Sequence, residues 1–370
     1  MALQFIDSFD HYYLTNDIGF QGGQNCMAQK YDSSVDAGSI FPDLTAGRFG
    51  GAALNMQSSA GQAWINKSVT TVARDEMVVG FAFLPKASRS DTTRIHFRLD
   101  DTTNVKMTID MAPKTVTVQV QDVTTVASSA AVMSAGAWQY MEFKVKIHST
   151  LGTVEVRRDG VTIASATNIN TGTTGVLINT LRLEANNNAQ HDFIDDLYWL
   201  DTTGGVNDDF LGDSRVDVLH PEADGATNDF TLTDDGEATD SPHLENWQSV
   251  RNSLNIVIGR DHNYVESGLV GAREDYDNVS LASVGVTPLS IYGVQVVNNT
   301  KRTATGALHF KDEMTIAGVQ YDKGTAVVST TGDYTMSTFI RDTDPSDGLA
   351  WTEGKVNAVG SGFTITFKET

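Results

Sequence analysis

The reactive groups with the most suggestive spacing are the carboxylates between His191 and Asp217. Asp192, Asp195 and Asp196 lie in the run H-D-F-I-D-D-L-Y-W-L-D, which is rich in β-formers. A retaining glycosidase needs two carboxylates about 5–5.5 Å apart, which on a strand means residues two apart on one face. None of these three forms such a pair, and a regular strand points Asp195 and Asp196 to opposite faces. No E-x-D-x-x-E run exists in the chain. Asp100, Asp101, Asp192, Asp195 and Asn186–Asn188 offer hard oxygen ligands of the kind Ca²⁺ takes. Without a fixed ligand spacing they read first as turn residues. His11, His96, His148, His191, His220, His243, His262 and His309 are scattered, and no H-x-x-x-H or H-E-x-x-H pair suggests zinc. Neither a G-x-S-x-G elbow nor a G-x-x-x-x-G-K-[ST] loop is present. These patterns nominate no catalytic, metal or cofactor residue, and the chain reads as a non-enzyme with no cofactor.

Charge narrows the partners. Over 370 residues, 47 acidic and 26 basic side chains give a net charge of −21, which disfavours nucleic acid. The acidity is uneven: residues 1–205 carry 21 acids and 15 bases, residues 206–370 carry 26 and 11. Cys26 is the only cysteine, so no disulfide framework or cysteine metal site is expected. The opening M-A-L-Q-F-I-D-S-F-D lacks the pattern of a secretory signal. No window approaches the ~20 apolar residues of a membrane helix, so membrane insertion is not expected.

The elements that would position these groups are strands. In E-M-V-V-G-F-A-F-L, residues Met77, Val79, Phe81 and Phe83 fall on one face. In R-I-H-F-R-L-D, Ile95, Phe97 and Leu99 face one way and Arg94, His96 and Arg98 the other. T-V-E-V-R-R-D and V-T-I-A-S join through Asp159-Gly160, a two-residue hairpin signal. No long segment holds a 3.6-residue period. The expected fold class is all-β: an N-terminal antiparallel jelly-roll sandwich over residues 1–205, then a smaller C-terminal β-rich domain over 261–370. Trp64, Trp138 and Trp199 all read as core.

Between them, residues 206–260 read as an acidic extended connector or strap. From Asn207 to Glu245 there are twelve acids and one base, Arg215, too polar to hold regular structure alone. Its apolar anchors suit contact with a neighbouring domain or another copy. Phe210, Leu211, Val216, Leu219, Phe230 and Trp247, with Trp351 further on, are the candidate inter-subunit or inter-domain contacts. Trp351 reads first as a core lid.

Two resemblances add to this reading. The strand order of residues 1–205, with W-Q-Y-M-E-F-K-V-K-I followed by R-R-D-G-V-T-I-A and then F-I-D-D-L-Y-W, resembles the concanavalin A-like, laminin-G-like sandwiches. Q-Y-M-E-F-K-V-K is superficially similar to an alginate-lyase strand, without evident Arg and His-Tyr partners. The block D-D-L-Y-W-L-D-T-T-G-G-V-N-D-D-F-L-G-D-S-R-V-D-V-L-H-P-E-A-D-G resembles structural proteins of tailed bacteriophages. N-W-Q-S-V, N-Y-V-E-S and D-P-S-D-G-L-A-W-T-E-G-K-V-N-A belong to the same pattern. This resemblance implies a virion component, made in the host cytoplasm, tail-associated (fibre, spike or baseplate periphery). Its partners would be other virion proteins and copies of itself, with a host-surface glycan as a further candidate. The alternatives are a carbohydrate-binding receptor-recognition module, a head-surface decoration protein or a polysaccharide-degrading enzyme.

Overall fold

A computed structural model describes residues 2–11, 30–35, 40–58, 62–68, 74–85, 92–98, 104–121, 124–186, 192–234, 245–246, 263–301, 308–322, 324, 327–329 and 334–368. Strands hold 57% of the residues and helix 3%, which is the all-β class expected. Contacts divide the chain into two compact units, Met1–Asp217 and Val218–Thr370.

The first unit contains β1 (Leu3–Asp7), β2 (Ser33–Val35), β3 (Ile40–Asp43), β4 (Ala53–Met56), β5 (Gln62–Ser68), β6 (Glu76–Leu84), β7 (Thr92–Arg98) and β8 (Asn104–Asp110). It continues with β9 (Thr115–Val120), β10 (Thr124–Ser128), β11 (Gln139–Lys146), β12 (Gly152–Arg158), β13 (Val161–Ile169), β14 (Thr180–Asn186) and β15 (Asp192–Asp201). An eight-stranded sheet runs β13-β12-β11-β6-β15-β4-β3, with β1 also on β15; a seven-stranded sheet runs β10-β9-β8-β7-β14-β5-β2. Alternation puts Met77, Val79, Phe81 and Phe83 of β6 into the core opposite Ile95 and Phe97 of β7. Phe97 stacks on Phe143 of β11 at 5.3 Å between ring centroids, which ties the two sheets together. Each such buried side chain contributes about 1.5–3 kcal/mol. The β12–β13 hairpin turns through Asp159 and Gly160, at φ 51° and 77°, the left-handed pair that a two-residue turn of this type requires.

The first unit reaches past residue 205 to Asp217 because backbone donors of the strap bond to the outer side of the eight-stranded sheet. Gly212 N–H donates to Glu142 Oε1 at 2.8 Å, and Leu211 N–H to the Tyr198 hydroxyl at 3.2 Å. Val216 N–H donates to Asp196 Oδ1 at 2.8 Å. Tyr198 fits there only because β6 has Gly80 beneath it; a Cβ on Gly80 would lie 2.2 Å from Tyr198 Cε1. The later part of the expected connector is also structured. Pro221–Asn228 forms a strand of the second unit.

The second unit contains β16 (Pro221–Asn228), β17 (Thr231–Asp234), β18 (Asn263–Glu266), β19 (Arg273–Asn278), β20 (Val294–Lys301) and β21 (Leu308–Ile316). After these come β22 (Val319–Asp322), β23 (Val327–Ser329), β24 (Tyr334–Arg341), the short helix α1 (Glu353–Val356) and β25 (Val359–Lys368). One sheet runs β16-β19-β25-β21-β22 with β23 on β21, and β17–β18 and β20–β24 pair separately. Its core gathers Met314, Phe339, Trp351, Val356 and Val359. Trp351 is 3% exposed and donates its indole N–H to Arg341 O at 3.0 Å, so it is an interior residue of this unit.

Candidate functional site

The outer face of the seven-stranded sheet carries the densest set of cations in the first unit. On β7, Ile95 and Phe97 enter the core, so Arg94, His96 and Arg98 share the opposite face. Register then extends that face across neighbouring strands. One row reads Gln119, Lys106, His96, Arg182 and Asn66 across β9, β8, β7, β14 and β5. The next reads Thr117, Thr108, Arg94, Glu184 and Trp64, and a third reads Asn104, Arg98, Thr180 and Ser68. At about 4.8 Å per strand, five strands span roughly the length of a short oligosaccharide. Among the described residues, four permanent cations and His96 stand there beside one acid, Glu184, in a chain of net charge −21; Arg94 and Arg182 are part-exposed, whereas Arg98 and Lys106 are buried.

The contacts show how the face is held. Arg94 donates to Glu184 Oε1 at 2.9 Å, and His96 Nε2 lies 3.3 Å from Glu184 Oε2. Burial would raise the Glu184 carboxyl, but hydrogen bonds from His96 and Arg94 outweigh it and hold the group below its usual range. Burial pushes His96 below its ordinary value against the pull of Glu184, and the nearby charges of Lys106 and Arg182 add to that effect. The ring is 5% exposed. Arg182 lays its guanidinium over the Trp64 ring at 3.9 Å and donates through Nε to Asn66 Oδ1 at 2.9 Å. Trp64 is half-buried on this outer face and Trp138 is half-buried as well; of the three tryptophans expected in the core, only Trp199 is fully inside. Both faces of A-W-I are apolar, so period two could not place Trp64.

A bulge within β15 forms a joint with the strap and is built differently from the regular strand expected. Its register against β6 shifts between Asp195 and Tyr198, and Asp196 has φ 51°. Such a bulge re-aims side chains and brings both carboxylates to Arg48. The Arg48 backbone N–H donates to Asp195 Oδ2 at 2.8 Å, while its guanidinium reaches Asp196 Oδ2 at 3.5 Å. The same guanidinium grips Asp213 of the strap with two bonds of 2.6 and 2.7 Å. Burial, then the charge of Asp196, raises Asp195 to about 8. Burial raises Asp196 to about 7 against the hydrogen bond from Val216 and the charge of Arg48. Asp10 is raised to about 6, first by burial. Among the described residues, no group of three or more His, Cys, Asp or Glu side chains could hold a metal ion.

The contact candidates separate between the units. Phe210 lies under the Arg157 guanidinium at 3.9 Å and near Lys144 at 5.9 Å, on the outer side of the first unit's larger sheet. Leu211 and Val216 serve through the backbone bonds given above. Leu219 packs against the second unit's core. Phe230 donates its N–H to Glu274 Oε2 at 3.0 Å and accepts at its carbonyl from Asn246 at 2.9 Å. Trp247, Asp100, Asp101, Asn187, Asn188 and His191 lie outside the described residues. Asp192 is buried and accepts from Thr93 Oγ1 at 2.9 Å. The sequence signal for the cationic face was the alternation of Arg94, His96 and Arg98; the partners on β5, β8 and β14 come only from sheet register.

No protein-family model matches this chain, and no curated protein matches it in sequence. Solved structures are similar to part of it. An endo-β-1,4-glucuronan lyase from the fungus Trichoderma reesei is 14% identical, covering 46% of this chain and 90% of that one with a TM-score of 0.34. A carbohydrate binding module from Bacillus subtilis is 10% identical, covering 46% and 94%, with a TM-score of 0.32. A protein of unknown function with a galectin-like fold, also from Bacillus subtilis, is 10% identical, covering 54% and 96%, with a TM-score of 0.37.

Proposed function

We propose that the protein is a non-enzymatic structural component of a tailed-phage virion, tail-associated, whose first unit attaches to an acidic glycan on the host surface. The observation that carries the glycan reading is the cationic face, where part-exposed Arg94 and Arg182 lie in adjacent register rows over the buried Arg98, Lys106 and His96. Guanidinium groups suit carboxylate recognition, and Trp64 supplies an apolar surface beside them. The particle reading rests on the phage-like blocks between residues 195 and 360. Its strap residues then serve to fix the first unit's back face, and the acidic remainder limits nonspecific adhesion. Further copies and other virion proteins are the expected neighbours.

The test is binding to uronate oligosaccharides against neutral ones of equal length, by calorimetry. Uronate selectivity that weakens with added salt is expected. Arg182→Ala and Arg94→Ala should each lower affinity about tenfold, since one charge-assisted hydrogen bond contributes about 1.5–3 kcal/mol. No new reducing ends or unsaturated products should appear. Equal affinity for the neutral sugars, or cleavage, refutes the proposed mode. Protein absent from purified particles refutes the virion assignment.

A further inference from the structure

The first unit holds a second cluster that neither the cationic face nor the strap uses. Asp7 ends β1 with its side chain fully buried, and Lys30 reaches it with a side chain 1% exposed; Lys30 Nζ stands 3.1 Å from Asp7 Oδ1. The Phe5 ring covers the amine, with its centroid 5.2 Å from Nζ. Both carboxyl oxygens are engaged: Phe9 N–H donates to Oδ1 at 3.0 Å, and the Tyr31 hydroxyl donates to Oδ2 at 3.0 Å. His11 touches both partners, with Nδ1 3.7 Å from Asp7 Oδ1 and Nε2 3.4 Å from Lys30 Nζ.

A buried ion pair is often no more than structural. Three features set this one apart: a buried amine nitrogen 3.1 Å from a buried carboxyl oxygen, a titratable imidazole in contact with both, and a fixed donor on each carboxyl oxygen. We propose that Asp7 and Lys30 condense into an intramolecular amide, a covalent staple between the end of β1 and the residues just before β2.

The step needs no oxidant, reductant or co-reactant. The pair starts as carboxylate and ammonium. Burial by itself would raise Asp7, but the charge of Lys30, then that of His11, holds it below its usual range. Transfer of one proton from Nζ to the carboxylate, directly or through His11, gives amine and carboxylic acid with no change in net charge. The Nζ lone pair then attacks Cγ, and the Tyr31 hydroxyl stabilises the charge that develops on Oδ2. The Cγ–Oδ1 bond breaks as His11 carries a second proton from nitrogen to Oδ1. Oδ1 leaves as water, Oδ2 remains as the amide carbonyl, and one hydrogen stays on nitrogen. Burial favours this outcome because two desolvated charges become one neutral group and water is expelled.

Lys30 is the first lysine or arginine of the chain and Arg48 the next, so tryptic mapping of the denatured protein reads the bond directly. An amide at Lys30 blocks cleavage there. The expected N-terminal peptide therefore runs to Arg48 and is lighter than its sequence by one water. A peptide ending at Lys30, at its full sequence mass after prolonged incubation of the folded protein, overturns the proposal. Lys30→Arg keeps the charge without the amine nucleophile and should restore full mass in the peptide ending at residue 30; a water deficit persisting in that variant overturns it too. Asp7→Asn should form the same amide with loss of ammonia. His11→Gln should slow the bond's appearance after refolding at least tenfold, and an unchanged rate removes the proton-transfer role given to His11.

Discussion

Replacing Asp195 with Asn tests the joint at the β15 bulge most directly. Asp195 and Asp196 are raised to about 8 and about 7, whereas an unfolded chain leaves both near the ordinary aspartate value of about 3.9. The folded state therefore holds protons that the unfolded state has released. Their contribution to stability is complete below about pH 4, falls by about 1.4 kcal/mol per pH unit for each proton retained as pH rises, and is gone once pH passes about 7 and 8. Taken whole, the Asp195 shift corresponds to about 6 kcal/mol at about 1.4 kcal/mol per unit. Asp195 and Asp196 titrate as a pair, so the shift belongs to both and about half of it falls to Asp195. Asn also loses one acceptor, because Asp195 Oδ1 takes the Asp196 N–H at 2.7 Å while Oδ2 takes that of Arg48; one such bond contributes about 1 kcal/mol. Asp195→Asn is thus expected to stabilise the first unit by about 2 kcal/mol at pH 8 and to destabilise it by about 1 kcal/mol at pH 4. Urea-dependent hydrogen exchange of peptides covering β15, read by mass spectrometry from pH 4 to 9, isolates this unit from Glu274 of the second unit, which is raised to about 7 mainly by burial. A difference between variant and parent that stays constant over this range refutes the reasoning, because the two carboxyls would then not hold protons at neutral pH.

Two other substitutions address packing. Gly80→Ala drives a methyl into the Tyr198 ring and disturbs the 2.7 Å hydrogen bond from Tyr198 to Glu142; overpacking of this kind costs about 1–3 kcal/mol, measured as lost stability of the first unit in urea. Trp351→Phe removes the indole donor to Arg341 O and leaves a void in the second unit, so about 2 kcal/mol should be lost there, with exchange protection of β6 and β15 unchanged.

Period-two alternation carried the strands, and Asp159-Gly160 carried its hairpin, because both depend on neighbours in sequence. The joint was not legible in the same way. Whether Asp195 and Asp196 diverge or converge depends on the slip of β15 against β6, a pairing across more than a hundred residues, and on Asp196 adopting a positive φ that Leu or Ile would resist. The cationic face was half legible: one strand showed Arg94, His96 and Arg98 together, but Lys106, Arg182 and Trp64 join them only through register. Asp7 and Lys30 were invisible as a pair, since nothing in their spacing announces that a lysine will be buried against β1. The strap was read as a polar connector from its acid content. Its backbone N–H groups, which composition does not report, are what fasten residues 211–216 to Tyr198, Glu142 and Asp196.

This fastening divides the labour between the two faces of the sandwich. On the outer side of the eight-stranded sheet, Lys144 and Arg157 lie against Phe210, and Arg48 is committed to Asp196 and Asp213. Cations on that side meet acids and an aromatic ring from the chain's own strap, so an incoming anion would have to displace a bidentate carboxylate already in place. On the seven-stranded sheet, Glu184 is the acid that Arg94 and His96 meet among the described residues. The second face leaves Arg94 and Arg182 part-exposed, while Arg48 on the first is gripped by a bidentate carboxylate, an asymmetry that favours the second for a carboxylate-bearing chain. The same asymmetry gives a direction with pH. His96 sits below its ordinary value, so it is neutral at pH 7 and gains charge as pH falls. Uronate affinity should rise on acidification while the sugar's own carboxylates remain ionised, and His96→Gln should flatten that rise without abolishing binding.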